Sequence, residues 1–141
     1  MALTDRKLRD ILKKHRTIAV CGMSRNQDKA AYYVPAFLEE KGYRIIPINP
    51  FIQEIREKKS YTALKDIPYE IDIVEVFRPS DQAPDIVKET IERRKKRGDV
   101  SVVWLQKGIR NEEARKLAEA EGILFVQDHC MKMMYKKLLG G

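Results

Sequence analysis

Five short apolar runs, rich in β-branched residues, recur at positions 18–21, 43–48, 71–77, 100–106 and 123–126, separated for the most part by stretches with helical spacing. Runs this short and this evenly apolar suit strands covered on both faces, as in parallel sheets. Parallel neighbours need a crossover, usually a helix, so the alternation predicts an α/β chain with a doubly wound parallel five-stranded sheet. With the strands numbered along the chain, the expected order is 3-2-1-4-5. Ligands of such sheets bind outside the carboxyl ends of the strands where the order reverses, here between strands 1 and 4.

The intervening segments carry helix signals. Leu8, Ile11 and Leu12 share one face of a helix over residues 4–15, with Thr4 as N-cap. A second helix starts at Ala30, buries Val34, Phe37 and Leu38, carries Pro35 in its first turns and closes at Gly42. Residues 51–68 read as short helical turns crossing to the third strand, in which Asp72 and Glu75 break the alternation and place one of them at a strand end or edge. Ser80 or Asp81 caps a helix running to about Arg97, Asn111 caps one over 112–121, and a last helix spans 131–139.

At 141 residues the chain fits one domain, residues 1–141, with the sheet-forming core over about 16–130. No apolar run is long enough to span a bilayer and the N-terminus lacks a secretion signal, so a cytoplasmic protein without a membrane partner is expected. Two distant cysteines and two histidines offer neither a disulfide framework nor a metal site. Charged residues make up 35% of the chain, weighted to Lys, Glu and Arg as in proteins from hot environments. A net charge of +7 favours a polyanionic partner, nucleic acid or a phosphorylated cofactor. The densest cationic run, residues 93–97, reads as a solvated helix end; without interleaved aromatics or a recognition motif, no nucleic-acid partner is expected.

The loop after the first strand, Gly22 to Lys29, lies between a strand and a helix N-terminus, where unpaired backbone N–H groups face the turn. It reads as a phosphate-binding loop with Ser24, Arg25 and Lys29 adding polar and cationic contacts, or equally as a solvated turn with two surface cations. Its single glycine matches neither the dinucleotide fingerprint nor the P-loop. The other strand ends to inspect are Asn49-Pro50, Phe77-Arg78, Gln106 to Ile109 and Asp128 to Cys130.

In order, those five ends read VCGMSRN, PINPF, VFRPSD, WLQKGIRNEEA and DHC. Over roughly residues 15–135 the chain resembles the small single-domain CoA-binding proteins, whose Rossmann-like fold is shared with the CoA-binding domain of the succinyl-CoA synthetase alpha subunit. Coenzyme A enters through this resemblance alone. It implies that Gly22, Ser24, Arg25 and Lys29 hold the pyrophosphate or 3′-phosphate, and that Asn49 and Pro50 border the adenine and ribose. Phe77 and Arg78 would flank the nucleotide or the start of the pantetheine arm, and Gln106 and Gly108 would accept that arm. Each has a plainer reading as a turn former or core residue, and their joint occurrence at one sheet edge favours binding. The resemblance brings no catalytic residues.

Cys130, at a helix N-terminus, is a candidate for a mixed disulfide with the CoA thiol, or a small residue packed under the last helix. Cys21 reads as buried and inert. The leading function is therefore binding of CoA or acyl-CoA. The alternatives are an NAD(P)-binding regulator or oxidoreductase, disfavoured because Asn49 stands where an acid is needed, and a partner subunit of an acyl-CoA ligase.

Overall fold

Thr4 accepts the Lys7 N–H through its hydroxyl and caps α1 (Asp5–Lys14), which buries Leu8, Ile11 and Leu12. The chain, described over residues 2–141 of a computed structural model, continues through β1 (Thr17–Cys21), α2 (Ala30–Glu40) and β2 (Arg44–Ile48). Then come the short strands β3 (Glu54–Ile55) and β4 (Lys58–Lys59), followed by β5 (Ile73–Val76), α3 (Ala83–Arg97), β6 (Val102–Leu105), α4 (Glu112–Ala120), β7 (Leu124–Val126) and α5 (Met131–Leu139). Asn111 caps α4 as its position predicts, accepting the Ala114 N–H. Helices α1, α2 and α5 cover one face of the sheet with Ile18, Val20, Ile45, Ile73 and Trp104, while α3 and α4 cover the other with Ala19, Ile46, Val74 and Val103.

The five long strands are all parallel, but their order is β2-β1-β5-β6-β7, which corrects the expected 3-2-1-4-5. Counted as five, it is 2-1-3-4-5, and the reversal falls between the first and third strands rather than the first and fourth. Pro47 gives the physical reason. It has no N–H to donate, so it belongs on an edge strand with its N–H side outward. The Pro47 carbonyl points that way and accepts the Tyr61 N–H (3.0 Å). An interior β2 would need a donor that proline lacks, whereas β5, buried at all four positions, takes the interior place.

The return from β2 to β5 holds the second correction. Instead of helical turns throughout, β3 and β4 form a hairpin whose turn places Arg56 and Glu57 at φ +53° and +63°, and only Leu64–Asp66 is helical. Positive φ in two consecutive non-glycine residues suits a tight two-residue hairpin turn. Arg56 offsets its cost by donating to the Tyr32 hydroxyl (2.9 Å) and to Glu39 (3.2 Å) of α2, and Lys58 pairs with the same Glu39.

The cationic run divides as well. Arg93 is buried rather than solvated and donates to the carbonyls of Leu64 (2.7 Å), Ile67 (2.9 Å) and Tyr69 (2.6 Å) and to Asp99 (3.0 Å). Neither Ser80 nor Asp81 caps α3. They lie in the 3-10 turn Ser80–Gln82, and the Ser80 hydroxyl accepts the Arg110 N–H instead.

Asp72 lies one residue before β5 and accepts the N–H groups of Arg16 and Thr17 (3.0 Å each). Glu75 sits mid-strand between Val20 and Trp104, and neither of its carboxyl oxygens has a hydrogen-bond partner among the described residues. Burial pushes this carboxyl up to about 8. Because the folded value exceeds the unfolded one, the native state holds a proton that the unfolded chain releases, and stability falls as pH rises from about 4.5 to about 8. Glu75→Met should flatten that part of a urea-denaturation pH profile and raise stability at pH 8 by on the order of 4 kcal/mol. A mutant profile as steep as the parent's would contradict this assignment.

Candidate functional site

Residues following the carboxyl ends of β1, β2, β5 and β6 include Arg25, Asn49, Arg78 and Gly108, so the parallel topology puts all four on one edge of the sheet. At the strand reversal, Gly22, Pro50 and Arg78 line a cavity of about 210 Å³ together with Cys21, Ile48, Leu64 and Glu89 of α3. Gly22 takes φ +83°, and a Cβ added there would lie 2.8 Å from Arg78 Cδ, so the left-handed turn and the arginine's approach both call for glycine. Arg78 Nε donates to Gln82 Oε1 (2.9 Å). Burial is the chief cause that pushes the Cys21 thiol up to about 12, so it stays protonated and inert.

The first loop is held by its own polar groups. Ser24 Oγ accepts the Asn26 N–H and Asn26 Oδ1 accepts the Asp28 N–H, both at 3.0 Å. Ser24 N–H donates to the Ala31 carbonyl of α2 (3.1 Å). That carbonyl is free because its helical partner four residues on is Pro35, which has no N–H. The proline therefore does more than fit the second turn of α2: it releases the acceptor that anchors the loop. Lys29 occupies the N-cap without a side-chain hydrogen bond to the helix, and Arg25 and Lys29 are exposed and form no ion pair among the described residues.

Asn49 joins two strand ends. Its Nδ2 donates to the Met23 carbonyl (3.0 Å) and its Oδ1 accepts the Phe51 N–H (2.9 Å), so much of its amide is engaged inside the protein. Phe77 packs with the α1, α2 and α5 side of the core, away from the side on which Cys21, Ile48 and Leu64 cluster. Gln106, 4% exposed, accepts the Met131 N–H through Oε1 (3.3 Å) and so helps cap α5. Gly108 is required by φ +87°, with open space where a Cβ would stand.

Gln106, Gly108 and Cys130 thus occupy the β6–β7 half of the edge and are not among the residues lining the cavity. Cys130 is a half-buried free thiol at the N-cap of α5, packed against the core.

Two residues of this edge were given no role by the sequence reading, although Asp128 lies in a segment it singled out. Asp128, at φ +59°, accepts the Gly108 N–H (2.7 Å) and pairs with Arg110 (3.3 Å), clamping the loop after β6. Those bonds, the Gly108 N–H first, hold its carboxyl below the ordinary aspartate range. Phe51 is the other, an exposed ring directly after Asn49-Pro50. The DHC and PINPF segments contain both residues, and a polar side chain after the last strand and an aromatic in a turn were the available signals.

A family described as CoA binding domain matches residues 16–136, from the start of β1 into α5. The chain belongs to this CoA-binding domain family. Among family relatives, the Bacillus subtilis (strain 168) protein YneT is 36% identical over 129 residues, covering 92% of each chain. An Archaeoglobus fulgidus ADP-forming acetate–CoA ligase II is 31% identical over 81% of this chain, and the match spans 16% of the ligase's length. The fold is shared with a solved hypothetical protein from Pyrococcus horikoshii OT3, at TM-score 0.91 and 33% identity over 98% of this chain and 94% of that one.

Pro35→Ala tests the loop anchor. The new N–H should compete for the Ala31 carbonyl, leaving the fold intact while amide exchange at Ser24 speeds up by about tenfold or more, as measured by NMR. Unchanged protection at Ser24 would show that the loop does not depend on the freed carbonyl.

Proposed function

We propose that the protein is a binding module for coenzyme A or an acyl-CoA, held along the strand-end edge. The observation that carries this reading is the cavity at the strand reversal, where Gly22, Pro50 and Arg78 come together beside a loop with two exposed cations that form no ion pair among the described residues. Open sheets of this kind receive ligands at that place, and the α2 N-terminus, uncapped by a side chain, is suited to an anion. In this reading Arg25, Lys29 and the loop amides hold phosphate groups, and Ser24 chiefly keeps the loop in shape. Arg78 flanks the nucleotide or the arm, with Phe77 supporting the strand end from the core. Asn49 fixes the rim beside adenine and ribose. Gln106 and Gly108 give the arm a path toward Cys130.

The same residues disfavour an NAD(P) reading, since the end of β2 presents Asn49, its amide already engaged, where a carboxylate would have to grip a ribose. Kinship with the CoA-binding region of acetate–CoA ligases supports a second role as a partner subunit of such an enzyme. Titration calorimetry with CoA, dephospho-CoA, NAD and ATP tests the reading. CoA should bind most tightly, dephospho-CoA more weakly, and Arg25→Ala should cost CoA about tenfold, the scale of one charge-assisted hydrogen bond. Preference for NAD would overturn it.

The thiol end adds a chemical step. A Cys130 thiolate attacking the disulfide of oxidised CoA would form a protein–CoA mixed disulfide and release one CoA as thiolate, with no other oxidant. Mass spectrometry after incubation with CoA disulfide should locate one CoA adduct on Cys130; an unmodified Cys130 peptide would remove this step and leave the binding role in place.

A further inference from the structure

A second cavity, of about 240 Å³, borders β7, the strand at the opposite edge of the sheet from β2. Leu3 and Leu8 line it from the side of α1, and Phe125 and Val126 line it from β7 itself. Arg110 and His129 belong to the same lining. Arg110 follows Gly108 and His129 precedes Cys130, in the two loops that Asp128 clamps together. The cavity is therefore built onto the part of the edge that holds Gln106, Gly108 and Cys130.

Distance decides what can reach it. β7 stands two strands from β5, about 10 Å at the spacing of neighbouring strands. The pantetheine arm has the backbone length of about four residues and extends to about 14 Å. An arm that leaves the nucleotide beside Arg78 and passes Gln106 and Gly108 brings its sulfur to β7. Whatever is esterified to that sulfur continues past the last strand, where the cavity lies.

The lining decides what kind of group fits. Leu3, Leu8, Phe125 and Val126 are apolar, and the two guanidiniums are already matched: Arg110 pairs with Asp128 (3.3 Å), and Arg115 with Glu112 (2.9 Å) and Glu119 (2.7 Å). Neither is left over for a carboxylate. An apolar cavity of about 150 Å³ holds benzene, so this one has room for a chain of roughly four to eight carbons.

We infer that this cavity is an acyl site, through which the protein takes thioesters of CoA with short, uncharged acyl groups in preference to free CoA. The inference deepens the CoA reading and rests on it.

The test is calorimetry of CoA, hexanoyl-CoA and succinyl-CoA against the parent protein, Ala2→Trp and Leu3→Trp. Ala2 is exposed and Leu3 half-buried ahead of α1, and both line the cavity, so an indole at either place fills it without entering the sheet. The parent should bind hexanoyl-CoA at least about tenfold more tightly than CoA, from the apolar surface removed from water. Succinyl-CoA should bind no more tightly than CoA, because its carboxylate would lose water without gaining a free cation. Both variants should keep parental affinity for CoA, which also reports an intact fold, and lose the preference for hexanoyl-CoA. Equal affinity of the parent for CoA and hexanoyl-CoA, or a hexanoyl preference that survives both variants, overturns the acyl site while the CoA reading stands. Preference for succinyl-CoA overturns the uncharged class, and a parent that binds none of the three overturns both readings.

Discussion

Arg93 lies 3% exposed in α3, its guanidinium bonded to three carbonyls of the segment between β4 and β5 and to Asp99, which in turn accepts the Ile71 N–H. A buried guanidinium without partners costs several kcal/mol, so the arrangement is stable only when the crossover wraps around it. That wrapping carries the chain back from the outer edge and delivers β5 to the side of β1. The strand reversal follows from it, and so does the meeting of Gly22 with Arg78.

Much of the architecture is legible in the residues. Apolar runs marked the five long strands, Thr4 and Asn111 marked helix starts, and the strand ends marked the edge where polar and cationic side chains gather. What escaped depends on side-chain contacts distant in sequence. A charged run at a helix end gives no sign that its first arginine turns inward to meet carbonyls almost thirty residues away. Likewise, Arg56 and Glu57 adopt a turn that their own propensities disfavour, and only contacts to α2 compensate. Strand order was different: Pro47 stood in the second run all along, and weighing its missing donor would have put that strand at the edge.

At the edge itself, the residues separate by what their polar atoms do. Asn49, Gln106 and Asp128 spend hydrogen-bonding groups on backbone N–H and C=O groups of neighbouring segments. Arg25, Lys29 and Phe51 face solvent. The first group sets positions and the second is free to meet a ligand, so a rim with many polar residues has fewer direct contacts to offer than its composition suggests. Such division favours preorganisation, because ordering is complete before anything binds.

The Ala31 carbonyl has a particular standing in this scheme. A proline four residues along deletes the α-helical rival donor covalently, so ordinary α-helical pairing cannot reclaim the acceptor from Ser24. Fastening of this kind is insensitive to how well α2 is wound at any instant. Lengthening or re-registering the loop between β1 and α2 would therefore move the tether point itself, which makes the span from Ser24 to Ala31 a fixed ruler and a poor place for insertions.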